Sequence, residues 1–145
     1  MELTLDLAEA YISHAKTKAD EIGVKVNVAV LDNAANLKAF SRMDGAVLGS
    51  IDVALKKAKT AALFNCNSED VWEYCKPGAP GHFLELTNGG LAPFAGGVVI
   101  KNRNSEVVGA IGISGGSVDQ DQTIAIAAAS AVDVHELPCR DAANN

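Results

Sequence analysis

The sequence predicts an α+β domain in which a mostly antiparallel sheet is covered by helices. Three observations carry this. Apolar residues recur every three to four positions early in the chain and again after residue 48, two pairs of β-rich runs each close around a short turn, and the helices flank these hairpins rather than alternating with single strands. There is no internal repeat and no linker, so the 145 residues are read as one domain, 1–145, with a core at 3–132 and a loose polar tail at 133–145.

Thr4 is placed to cap a first helix, with Asp6 in its first turn where the helix dipole favours an anion. Leu7, Tyr11, Ala15, Ala19 and Ile22 form its apolar stripe, and Gly23 ends it. Val24, Val26, Val28 and Val30 alternate strictly, the pattern of a half-buried strand. Residues 32–36 turn the chain, because Asp and Asn bond their own main chain there, and Leu37 to Ser41 return as the second strand. Leu48, Ile51, Ala54, Leu55, Ala58 and Ala62 mark a second helix, with Asp52 and Lys56 one turn apart on its exposed side. Ser68 is read as the cap of a short third helix ending at Cys75. The stretch from Lys76 to Phe94 is rich in Gly and Pro, the composition of a binding loop, with a short strand expected around Phe83 to Leu86. A second hairpin, Gly97 to Lys101 and Glu106 to Ile113, leads through Ser114-Gly115-Gly116-Ser117 into an alanine-rich helix ending at Val132.

Composition bounds the function. Hydrophobic residues make up 48% and charged residues 21%, a globular balance. A net charge of −6 argues against nucleic acid, whose binding needs clustered bases. The one dense basic stretch, Lys56, Lys57 and Lys59, reads as the solvated side of the second helix. The N-terminus carries two acids where a secretory signal needs bases, and the most apolar stretch, 124–132, falls well short of the ~20 residues a membrane span requires. Cytoplasmic residence is therefore expected, with Cys66, Cys75 and Cys139 as free thiols.

Ligand chemistry has three candidate sources. Ser114, Gly115 and Gly116, between a strand and a helix, could present backbone N–H groups to an anion, or simply make a tight turn. Arg42 could clamp a carboxylate or phosphate beside Asp44, or both could hold the local backbone. His82, in the Gly/Pro loop near Glu85, is a candidate haem or metal ligand, and His14 on the first helix is a second. Glycines within the second hairpin, such as Gly97, Gly109 and Gly112, suggest close approach by a ligand or another chain.

Several of these segments together resemble a known family. Val28-Ala29-Val30-Leu31-Asp32, Arg42-Met43-Asp44-Gly45-Ala46, Gly96-Gly97 and the run Gly109 to Gly116, followed by Asp119-Gln120-Asp121, are similar to the haem-degrading, glycolate-utilisation accessory family. That family includes the C-terminal domain of propanediol-type corrinoid adenosyltransferases. The resemblance covers residues 3–132. It implies a profilin-like three-layer α/β/α arrangement around a five-stranded antiparallel sheet, and a homo-oligomer. It also implies a cytoplasmic accessory protein of glycolate, glycerol or diol catabolism that binds haem or a related tetrapyrrole. That ligand is expected between the 76–94 loop and the Ser114–Gly116 turn. Two rival readings stand beside this one: an enzyme acting on a small hydroxy acid, aldehyde or diol, with Arg42 holding a carboxylate and Asp44 or Glu85 as base, and a structural oligomer supporting a partner enzyme.

Overall fold

Helix α1, Leu5–Ile22, begins where Thr4 accepts a hydrogen bond from the Leu7 N–H at 3.2 Å and ends at Gly23, whose φ of 78° suits glycine. These are features of a computed structural model that describes residues 2–133. The tail from residue 134, with His135 and Cys139, lies outside the described residues.

Strand β1, Asn27–Asp32, pairs with β2, Leu37–Arg42, around a turn built by Asp32. The Asp32 carboxylate accepts from the backbone N–H groups of Ala34 and Asn36, both at 2.9 Å, while Ala35 takes a left-handed backbone. Strand β3, Gly97–Lys101, pairs with β4, Val107–Ser114, in a second hairpin. The hairpins join through β1 and β4, giving the antiparallel order β2-β1-β4-β3. The other helices are α2, Ser50–Phe64, α3, Ser68–Cys75, and α4, Val118–Ala131.

Both faces of the sheet are covered. On one, Val28, Val30, Ile111 and Ile113 pack with α1 and α4; on the other, Ala29, Leu31 and Ala110 meet the alanines of α2. The alternating valines therefore do not mark a half-buried strand, because β1 is central and its intervening residues are buried too. Even Asn27 is inside, its side-chain amide donating to Ser50 Oγ at 2.9 Å.

The expected five-stranded, profilin-like sheet is corrected to four strands among the described residues. Residues 83–86 do not form a strand. Phe83 has a φ of 73°, and Leu84–Leu86 make a single 3-10 turn. The outer edge of β3 is already occupied: the N–H of Gly97 donates to Ser68 Oγ at 2.9 Å and that of Val99 to Asn67 Oδ1 at 3.2 Å. These two side chains satisfy donors that a fifth strand would otherwise meet. The same arrangement makes Asn67, not Ser68, the cap of α3.

The glycines of the second hairpin serve the chain's own packing. A Cβ on Gly112 would overlap the Ala54 carbonyl oxygen of α2, and one on Gly97 would overlap that of Lys57. The approaching backbone is thus helix α2, which the two glycines admit close against the sheet.

Candidate functional site

The Ser114–Ser117 turn does bind an anion, and the anion is the chain's own Asp121. The Gly116 N–H donates to Asp121 Oδ1 at 2.9 Å, and the Gly115 amide also bonds this carboxylate. Its other oxygen meets Lys57 Nζ at 3.0 Å, and Lys57 also donates to the Ile113 carbonyl at 2.9 Å. The two side chains are 1% and 3% exposed. Burial pushes Lys57 down and Asp121 up from their ordinary pKa ranges; their bond to each other draws each back towards its charged form, as the glycine amides do for Asp121. Ser117 caps α4 in a reciprocal box with Gln120. This turn is a closed internal joint, with its glycine amides engaged by Asp121.

Because it is buried against Asp121, Lys57 does not share the solvated face expected for Lys56, Lys57 and Lys59. Only its neighbours behave so: Lys56 pairs with Asp52 at 2.9 Å, and Lys59 reaches the Asn88 carbonyl. A sequence signal existed, since Lys57 lies three residues after Ala54 and four before Ala61, on the buried stripe of α2.

Arg42 and Asp44 are both exposed, at the end of β2 and in the following turn. They line a cleft of about 340 Å³ together with Lys16, Asp20, Lys25 and Met43. Three bases and two acids share it, and Glu85 is not among its lining residues. Of the two bases named for the enzymatic reading, Asp44 is therefore gathered with the arginine and Glu85 is not.

His14 and His82 are exposed on different sides of the sheet. His14 belongs to α1, whereas the 76–96 segment lies against α2: the Ala92 N–H donates to Thr60 Oγ1 at 3.0 Å, and the Lys56 and Lys59 ammonium groups lie over Gly90 and Gly89. The His82 ring stacks on Phe83 with centroids 3.8 Å apart and planes inclined by 18°. Tyr74 lies against Gly81, and Tyr74, Phe83 and Leu86 are all exposed, so the imidazole sits in an uncovered apolar patch. Behind it, the thiol of buried Cys75 is pushed up by burial and then by the Glu85 carboxylate it bonds. Among the described residues no three His, Cys, Asp or Glu side chains gather to hold a metal ion by themselves.

A groove of about 620 Å³ runs between α3, residues 93–95 and the start of α4. The sequence reading missed it, because its walls come from three separate segments. Trp72 and Phe94 are 44% and 41% exposed there, and Glu69, Asp70, Glu73 and Asp119 supply its charges. His82 does not line it. No helix among the described residues is long and apolar enough to cross a membrane.

Comparison with known proteins gives a consistent result. Residues 3–130 match the family described as haem degrading protein HbpS-like. An uncharacterised 15.0 kDa protein of the dhaT–dhaS intergenic region of Citrobacter freundii is 36% identical over 123 residues, covering 85% of this chain and 87% of that protein. The corrinoid adenosyltransferase PduO of Salmonella typhimurium is 35% identical over 121 residues, which are 83% of this chain but 36% of the enzyme. Among solved structures, the PduOC:heme complex superimposes with a TM-score of 0.85 at 32% identity, over 91% of this chain and 96% of that one.

Proposed function

The chain belongs to the HbpS-like haem-degrading family, and we propose that it is a cytoplasmic accessory protein that binds haem or a related tetrapyrrole on the surface formed by residues 74–90. The observation that carries this is the exposed imidazole of His82, held flat against Phe83 beside the exposed Tyr74 and Leu86. A porphyrin needs an apolar surface for its ring, a nitrogen donor for its iron and cations for its propionates. His82, Phe83 and Leu86 meet the first two needs, and Lys56 and Lys59 are the nearest cations on α2. His82 would hold the iron of bound haem, and the haem would supply redox chemistry at this surface. The 620 Å³ groove suits haem less well, since its four carboxylates oppose the propionates.

The solved complex of a relative, PduOC, with heme supports the ligand class. The likeness to corrinoid adenosyltransferase, of which this domain corresponds to about a third, supports a role beside glycolate, glycerol or diol catabolism. Self-association belongs to the same reading. Among the described residues strand β2 pairs only with β1, so its outer edge could meet a second copy, and gel filtration should place the protein well above its 15.0 kDa monomer mass.

Titration with hemin, followed by absorbance, tests the site. His82→Ala should weaken binding at least about tenfold while His14→Ala leaves it unchanged. If His82→Ala retains the affinity of the parent, His82 is not the ligand.

A further inference from the structure

The groove between α3 and α4 is lined by apolar and acidic side chains. Pro93, Phe94, Ala95 and Val118 give it apolar surface, and Trp72 offers an accessible indole. Glu69, Asp70, Glu73 and Asp119 share the lining, and among the described residues no Lys, Arg or His joins them. Three of these acids have local partners: Glu69 accepts from the Gln122 amide at 3.3 Å, Asp70 accepts from the Asn67 N–H at 3.2 Å, and Glu73 meets Lys76 at 2.6 Å. Even with Lys76 counted, the carboxylates outnumber the cations. The buried Lys57 ammonium, 5.1 Å from the Phe94 ring centroid on the protein side, is already neutralised by Asp121.

The walls are held in place before any ligand arrives. Ser68 Oγ donates to the Phe94 carbonyl at 2.6 Å. The Gly96 N–H donates to Gln122 Oε1 at 2.8 Å, and the amide of Gln122 donates to Glu69 at 3.3 Å. One hydrogen-bonded chain thus ties α3, the 94–96 segment and α4 together, which reduces the ordering cost of binding.

We propose that this groove binds an organic ammonium ion bearing a small apolar body. Charge complementarity selects the sign, since four carboxylates attract a cation and repel carboxylates, phosphates and propionates. The indole of Trp72 selects the type, because a weakly hydrated ammonium group is attracted to an aromatic face where a small inorganic cation would keep its water. The apolar part of the lining accepts the rest of the molecule, and the volume lies within the range of small-ligand sites, roughly 300–1,000 Å³.

Trp72 is the single tryptophan of the chain, so its fluorescence reports on this groove alone. Benzyltrimethylammonium is the probe, with benzyl alcohol and benzoate as neutral and anionic counterparts of similar size. The cation should shift the emission saturably, and the other two should not. The double variant Glu69→Gln/Glu73→Gln should bind about tenfold more weakly with its melting temperature held, and added salt should weaken the parent in the same direction. His82→Ala should leave the titration unchanged, which separates this site from the haem surface. No saturable response, an equal response to benzyl alcohol, or full retention of affinity in the double variant would each overturn the proposal.

Discussion

Two glycine-rich segments of this molecule look alike in the sequence and behave oppositely in the fold. Ser114–Ser117 turns its amides inward onto Asp121, which is buried against Lys57. The segment from 76 to 96 folds back on α2 through its backbone and turns an imidazole and several apolar side chains outward. Glycine permits close approach in both, but what approaches differs. In the first, the chain supplies its own anion; in the second, the side chains have no cover from the described part of the chain. A glycine-rich turn before a helix is therefore weak evidence for a ligand until the nearby acids on that helix have been placed.

The contrast can be broken most sharply at its buried end. Asp121→Ala leaves Lys57 charged and unpaired in the interior and should cost about 3–5 kcal/mol in a urea denaturation. The double variant Lys57→Met/Asp121→Leu should recover much of this loss, because it removes both charges together. A smaller effect is expected at Gly115, where a Cβ would overlap the Lys25 carbonyl and φ is 145°. Gly115→Ala should lose about 1–3 kcal/mol, and hemin affinity should not change beyond what unfolding explains. The smallest stability effect belongs to the exposed loop. Phe83→Ala should stay within about 0.5 kcal/mol of the parent, yet weaken hemin binding measurably. A loop variant that melts the protein, or an Asp121 variant that does not, would reverse the assignment of roles.

Local signals were legible in the sequence. Thr4 and Gly23 bound α1, and the Asp32 turn forms as its residue types require. What could not be read depends on partners far along the chain. Lys57 looks solvated in its own helix because Asp121, which neutralises it, arrives with α4. Asn27 looks like the polar half of an alternating strand until Ser50 meets it. The missing fifth strand has the same origin, since Asn67 and Ser68 from α3 occupy the edge of β3. Of the candidate site, the exposure of His82 followed from its loop, and so did its separation from His14. The Trp72 groove did not, because no short window of sequence contains its walls.

The central pairing of β1 with β4 sets the order in which this chain can fold. Residues 27–32 form their first hairpin with 37–42 early in synthesis, but their other edge waits for 109–114. Until then the valines of β1 and the alanine face of α2 lack the strand that buries them together. Closing so long a loop before the reward is collected makes the step slow and leaves the partly made chain open to aggregation. The late arrival of β4 brings the glycines that admit α2, and α4 then brings Asp121 to Lys57, so sheet, helix and buried charge pair all depend on residues 107–131.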